Sequence, residues 1–174
     1  MDDKHLNSLI SRVANGDMKA FEELYNLMKR GIYSFALSHV NNKHLAEDVV
    51  QETFLHILKA SQNYTQKNPK AWMLTICRNV SLYMLRGKKN EMLSYEDVNN
   101  DIEMSSDFVD GICNSEVIQT LLTKLEPNDR QIVVLHIVSE LKHREIAEVL
   151  GLPLGTVLWK YNASLKKLKK LVNL

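Results

Sequence analysis

The sequence predicts an all-α protein composed of two small helical domains. Glycine and proline are sparse, with 6 and 3 among 174 residues, and apolar residues recur every three or four positions instead of alternating. The two periodic halves are separated by a stretch rich in Asn, Asp, Ser and Glu, which is typical of a linker. We therefore expect helical domains at residues 1–88 and 115–174, joined by an acidic, flexible linker at 89–114.

The N-terminal domain is expected to build its core from three amphipathic segments. Apolar positions recur over 20–40, on both sides of Gly31. A second segment, 46–59, has one apolar face. A third, about 70–86, follows Pro69, which suits the first turn of a helix. The predicted inner faces are Ala46, Val49, Val50, Thr53, Phe54, Ile57 and Leu58 in the second segment, and Trp72 or Met73, Ile76, Val80 and Met84 or Leu85 in the third.

The opposite face of the 46–59 helix is polar except for one leucine. It carries Asp48, Gln51, Glu52, Leu55 and Lys59. Most such faces are simply solvated, but Leu55 within a polar stripe favours a partner-binding surface. A metal site that used Glu52 and His56 would need a second helix with Glu and His, which the sequence lacks. No metal ion or cofactor is therefore predicted.

Charge is distributed unevenly along the chain, although the formal net charge is only +1. Residues 67–89 contain six basic residues and no acid, whereas residues 90–116 contain eight acids and no base. Tyr64, Trp72 and Tyr83 lie in or beside the basic segment. Cations mixed with aromatic rings suit single-stranded nucleic acid, because bases stack while cations follow the backbone. A core position explains Trp72 equally well.

Near the C-terminus, Gly151 and Pro153 interrupt a good helical periodicity. This pattern predicts a helix-turn-helix, with Ala147 at the close helix contact, Gly151 in the turn and Val157 in the core of the second helix. The second helix would enter the DNA major groove, with lysines beyond it on phosphates. A helical hairpin with a solvated lysine tail is the alternative. The residues expected to face outward are Thr156, Trp159, Lys160 and Asn162, followed by Lys166, Lys167, Lys169 and Lys170.

Several classes of protein are excluded by composition. No apolar run of membrane-spanning length is present, and the acidic N-terminus is unlike a secretory signal. Cys77 and Cys113 have no metal or redox spacing, so both are expected to be reduced thiols in a cytoplasmic protein. No nucleophile, acid–base pair or phosphate loop emerges, so an enzyme is not predicted.

Four motifs in this order resemble the extracytoplasmic-function (ECF) sigma factors of bacterial RNA polymerase. They are "NGDMKAFEELYNLM", "DVVQETFL", "AWMLTICRN" and "EIAEVLGLPLGTV", the last followed by a basic end. The resemblance covers nearly all of residues 9–172 except the linker. It implies a subunit that directs the core polymerase to promoters and helps to open the DNA. It also implies regulation by an anti-sigma factor.

The resemblance assigns each segment a partner. Domain 1–88 would correspond to sigma region 2 and domain 115–174 to sigma region 4. The implied contacts with the core polymerase are Asp48, Gln51, Glu52 and Leu55. Those with the melted minus-ten element are Asn63, Tyr64, Lys67, Trp72, Arg78, Asn79 and Arg86. Those with the duplex minus-thirty-five element are Arg144, Thr156, Trp159, Lys160, Asn162, Lys166 and Lys167.

The chain departs from the family pattern at three places. Leu158, Trp159 and Lys160 follow "GTV" where the family commonly has a start rich in Lys or Arg, so an early arginine cannot read a base edge there. Tyr83 replaces a frequent Asp, and Lys142 replaces a Ser or Thr helix cap. Two other functions remain open: an autonomous helix-turn-helix regulator that binds operators without polymerase, and a sigma-like protein-interaction module that sequesters a partner.

Overall fold

A computed structural model describes residues 3–65, 67–92 and 116–172, and within these ranges the only regular secondary structure is helical. The predicted all-α class is therefore confirmed. In the described ranges, a 3₁₀ turn at Ser61–Asn63 accompanies eight α-helices. These are α1 (Asp3–Ala14), α2 (Met18–Val40), α3 (Lys43–Ala60), α4 (Pro69–Met92), α5 (Glu116–Thr123), α6 (Pro127–Ile137), α7 (His143–Leu150) and α8 (Leu154–Val172).

Helix α2 is the centre of the N-terminal bundle and packs against α1, α3 and α4. Its N-cap is Asp17, whose carboxylate accepts hydrogen bonds from the backbone N–H groups of Lys19 and Ala20. It runs through Gly31 without a break, because ten of its residues are buried and tertiary packing outweighs the low helix propensity of glycine. Helix α1 was not predicted, although it buries Leu6, Leu9, Ile10 and Val13 against this bundle.

Helices α3 and α4 complete the N-terminal bundle. The predicted inner face of α3 is buried, apart from the partly exposed Leu58. On α4, Met73 is fully buried whereas Trp72 is only partly covered, which answers the question that the periodicity left open. Helix α4 continues to Met92 and so enters the predicted linker at 89–114; the remainder of that segment lies outside the described residues.

The C-terminal bundle is formed by α6, α7 and α8, which pack on one another. Its centre is built from Ile132, Leu135, Leu141, Ile146 and Val157.

The two bundles touch along a seam, where α2 packs on α6 and α4 packs on α7. Their buried apolar residues form one continuous cluster. Polar contacts also cross the seam: Arg130 Nη1 donates to Asn41 Oδ1 at 3.2 Å, and Gln131 Nε2 donates to His39 Nδ1 at 3.1 Å. The structure therefore describes the two bundles as packed together.

Candidate nucleic-acid and polymerase interface

The outer face of α3 is accessible, as the periodicity predicts. Asp48, Gln51 and Leu55 are exposed, and Leu55 shows 48% of its surface to solvent. Glu52 is partly exposed, and its Oε1 lies 3.3 Å from Nε2 of His56, one turn further along. Within 3–65, 67–92 and 116–172, no three His, Cys, Asp or Glu side chains gather where they could hold a metal ion. The arrangement suits contact with a protein, because an apolar group is framed by carboxylates and amides.

The exposed stripe of α4 carries much of the candidate surface for unpaired DNA. Asn79 and Arg86 are exposed, and Tyr83 lies between them on the same face with 79% of its surface exposed. Asn63 and Lys67, in the segment before α4, are also exposed. The helix thus offers an amide, an exposed aromatic ring and a cation along one side, and the preceding segment adds a second amide and a second cation.

Tyr64 and Trp72 have a structural role beside this stripe. Their ring centroids lie 4.6 Å apart, and the Tyr64 hydroxyl donates to Asn7 Oδ1 at 2.7 Å. Burial, with a contribution from the charge of Asp3, raises the pKa of Tyr64 to about 12. The pair therefore fixes the loop before α4 against α1, and only part of each ring remains accessible.

Two basic residues of α4 lie toward the seam and not on the exposed stripe. Lys70 is buried, with Nζ 3.5 Å from Glu140 Oε2. Arg78 is only partly exposed and acts electrostatically on His39. Burial, with a smaller contribution from the positive charge of Arg78, lowers the pKa of His39 to about 4. In this arrangement Arg78, an implied minus-ten contact, is less accessible than Asn79 and Arg86.

The predicted turn between α7 and α8 is present. Gly151 has φ +65°, a left-handed conformation that strains other residues, and its N–H donates to the carbonyls of Ala147 and Glu148. The Ser or Thr cap is missing, but the reciprocal contact is present, because the Lys142 N–H donates to Glu145 Oε2 at 2.7 Å. That Glu at the third position of α7 is half of a capping box, a signal that was present in the sequence.

Three rings join the helices of the C-terminal bundle. His136 of α6 stacks on His143 of α7 with centroids 4.4 Å apart, and Tyr161 of α8 meets them edge-on at 4.7 and 4.8 Å. Burial, followed by the neighbouring His136, lowers the pKa of His143. These contacts hold α8 at a fixed angle to α7, which a helix-turn-helix needs in order to present its second helix.

Helix α8 presents most of its predicted residues, with one correction. Trp159 is 69% exposed, and Asn162, Lys166 and Lys167 are exposed; so is Arg144 on α7, whereas Thr156 is partly covered. Lys160 does not face freely outward. Its Nζ lies 2.7 Å from Asp129 Oδ1 of α6, and its side chain is only 23% exposed. The register of α8 places Lys160 on the side facing α6, where its ammonium pairs with the Asp129 carboxylate.

The exposed apolar residues outside the predicted contacts include Tyr83 and Leu158. Tyr83 continues the α4 stripe between Asn79 and Arg86, and Leu158 stands beside Trp159 on α8 with 40% of its surface exposed. Helical spacing from Asn79 identifies Tyr83, since the two are four residues apart and share a face. Leu158 is harder to predict from the sequence, because a leucine next to Val157 is equally well explained as a core residue until the register of the helix is known.

Two family models match the chain in the predicted order. Sigma-70 region 2 matches residues 24–91, and Sigma-70, region 4 matches residues 115–168; together they span more than half of the chain. The ECF RNA polymerase sigma factor SigW of Bacillus subtilis is 27% identical, over 92% of this chain and 93% of SigW. SigM of the same organism, also an ECF RNA polymerase sigma factor, is 26% identical over 75% of this chain and 82% of SigM.

Solved structures show the same fold. The sigma factor RpoE, in a co-crystal structure with the anti-sigma factor NepR from Bartonella quintana, has a TM-score of 0.74 and 21% identity, covering 90% of this chain and 98% of RpoE. CnrH, in complex with the cytosolic domain of CnrY, has a TM-score of 0.69 and 22% identity, covering 97% of each chain. Among the residues that the structure describes, none of the helices combines the length and the hydropathy of a membrane span.

Proposed function

Because the chain belongs to the ECF family of RNA polymerase sigma factors, we propose that it binds the core polymerase in the cytoplasm and directs transcription initiation from specific promoters. One observation carries this proposal: matches to sigma region 2 and region 4 fall in order on two helical bundles that each expose a surface unused by the fold. We propose residues 1–88 and 115–174 as the two functional domains, connected by 89–114.

The outer face of α3 is the proposed contact with the core polymerase. Asp48, Gln51 and Leu55 are exposed and Glu52 partly so, while the packing of α3 uses its other face. A partner that covers Leu55 gains apolar burial, and the surrounding carboxylates favour a basic counterpart.

The exposed stripe of α4 is the proposed contact with the melted minus-ten element. Asn79 and Arg86 offer a base-edge partner and a phosphate partner, and Asn63 and Lys67 extend the surface into the preceding loop. Tyr64 and Trp72 support that loop through their own packing and expose only part of their rings. Arg78 would contribute after the seam between the bundles has opened.

Helix α8 is the proposed reader of the duplex minus-thirty-five element. Trp159 and Asn162 face outward near its beginning, and Lys166 and Lys167 lie further along where they can reach phosphates. Arg144 on α7 supplies another exposed cation, Thr156 lies partly covered in the first turn, and Lys160 is held by Asp129.

We propose an anti-sigma factor as a further partner, and no catalytic activity or cofactor. The proposed anti-sigma partner is supported by fold similarity to RpoE and CnrH. RpoE was solved with the anti-sigma factor NepR, and CnrH with the cytosolic domain of CnrY. An autonomous operator-binding regulator is the other candidate, but it does not account for a region 2 match.

Reconstituted transcription tests the proposal. Core polymerase that lacks a specificity subunit should start RNA synthesis at discrete sites on a promoter library only when the chain is added. Glu52→Lys should weaken binding to the core by roughly tenfold or more, because it reverses a charge at the proposed contact. Glu22→Lys, at an exposed position of α2, is the matched control. Failure of the chain to bind core polymerase, or equal effects of the two substitutions, would contradict the assignment.

A further inference from the structure

The outer face of α8 is divided into two chemically distinct halves. Its first two turns expose apolar side chains: Leu154 at 39%, Leu158 at 40% and Trp159 at 69%. Its later turns expose lysines on this face, namely Lys166, Lys169 and Lys170, with Lys167 at the edge and Val172 exposed at the end. Asn162 stands exposed between the halves.

Folding does not account for the apolar half. Helix α8 packs through its opposite side, where Val157 and Ser164 are buried and Tyr161 is partly covered. Trp159 makes one described contact, with the Lys160 ammonium 6.0 Å from its ring centroid. A tryptophan and two leucines exposed together on one helix mark a surface that a partner covers.

The position of this patch on the helix limits which chemical groups of a partner it can contact. In a helix-turn-helix, the first residues of the second helix approach base edges in the major groove. Neither arginine nor an unpaired lysine occupies the first two turns of α8, so bidentate contact with guanine is not available from there. The one major-groove group that apolar side chains recognise is the thymine C5-methyl.

We propose, resting on the function assigned to α8 above, that this chain reads its minus-thirty-five element through thymine methyl groups that pack against Leu158 and Trp159. Asn162, one turn further on, suits the paired adenine, whose N6 and N7 match an amide. The site recognised is therefore rich in A·T pairs, with thymines placed under the start of α8.

Charge favours DNA over a protein as the occupant of this face. Residues 149–174 contain no Asp or Glu, and the lysines begin about 10 Å along the helix from Trp159 at 1.5 Å per residue. Bases under the apolar half would thus leave phosphates within reach of the basic half. The helix can also approach closely at Gly155, which has no Cβ and around which, apart from the adjoining chain, no atom lies within 4 Å of the Cβ position.

The test uses the chain bound to core polymerase and a duplex library randomised across the minus-thirty-five region. The tightest selected duplex is then made twice, once with thymine and once with deoxyuridine, which lacks only the methyl group. The wild-type complex should bind the deoxyuridine duplex about fourfold more weakly for each methyl that is buried. Trp159→Ala should bind more weakly than wild type and lose most of its sensitivity to the methyl groups.

The controls separate this inference from the proposed function. Deoxyuridine outside the region should have no effect, and Ile137→Ala, at a 51% exposed position on α6, should keep the wild-type preference. Circular dichroism checks that Trp159→Ala remains folded. A selected site without thymine, or equal methyl sensitivity in wild type and Trp159→Ala, would overturn methyl readout while leaving the sigma function intact. Loss of binding to a partner protein with unchanged DNA affinity would overturn it too. Absence of any promoter-dependent initiation would refute the proposed function itself.

Discussion

The two tryptophans of the chain lie on the two helices proposed to bind DNA, but they differ in how far their rings are buried. Trp72 on α4 is partly covered and packs on Tyr64 at 4.6 Å, whereas Trp159 on α8 is 69% exposed. The proposed minus-ten surface thus includes Tyr64 and Trp72, which pack in the fold, and Arg78, which lies toward the seam between the bundles. The surface on α8 is largely independent of the fold. Substitutions in the first should affect stability and binding together, while those in the second should affect binding alone.

The largest expected difference between the two surfaces is in stability. Trp72→Ala should lower the free energy of unfolding by about 3 kcal/mol, the lower end for truncation of a packed aromatic residue, because Tyr64 loses its partner. Trp159→Ala should change it by no more than about 0.5 kcal/mol, as is usual for exposed positions. Chemical denaturation of the two variants measures both values. Equal losses would show that Trp159 also packs in solution and would remove the contrast.

Acid should lower the stability of the chain through His39 of α2, which lies at the seam near Arg78 of α4. The pKa of His39 is about 4 in the folded chain against an ordinary value of 6.5, so the unfolded or opened state binds the proton more readily between these values. The contribution of neutral His39 to the free energy of unfolding is therefore present above pH 6.5 and decreases as the pH falls toward 4. Between pH 6.5 and 5 the loss should be on the order of 2 kcal/mol.

Denaturation of His39→Gln isolates this contribution, since glutamine keeps polarity without titrating. The difference between wild type and variant should shrink as the pH falls from 6.5 to 5, while carboxylates elsewhere affect both chains alike. Separation of the bundles at acid pH, seen as an increased radius in solution scattering, would locate the effect at the seam, where His39 meets Gln131 and the charge of Arg78. Parallel pH profiles would contradict the role of His39.

Sequence reasoning predicted the local features of both surfaces well and the tertiary features poorly. The buried face of α3, the left-handed Gly151 and the exposed Trp159 all follow from helical periodicity and turn chemistry. The seam and the pairing of Lys160 with Asp129 do not. Those contacts join residues far apart in sequence, and a charge pattern in one dimension does not reveal which cation meets a carboxylate.

The smallest expected effect concerns that pair and sharpens the description of the α8 surface. Lys160 Nζ lies 2.7 Å from Asp129 Oδ1 with both side chains partly buried, so in this arrangement the cation is neutralised by its own protein. Asp129→Asn removes the carboxylate charge and frees Lys160 for a phosphate. The slope of log affinity against log salt for a minus-thirty-five duplex should then steepen by about 0.9, the value for one added phosphate contact.

The double variant Asp129→Asn with Lys160→Ala is the control for this prediction. It should return the salt slope to the wild-type value, because the added contact belongs to Lys160 alone. Lys160→Ala by itself should leave that slope nearly unchanged if the pair persists on DNA. If Lys160→Ala alone lowers the salt slope by the value of one phosphate contact, Lys160 leaves Asp129 when DNA binds. In that case the cationic surface of α8 begins at Lys160, six residues before Lys166 and directly beside Trp159.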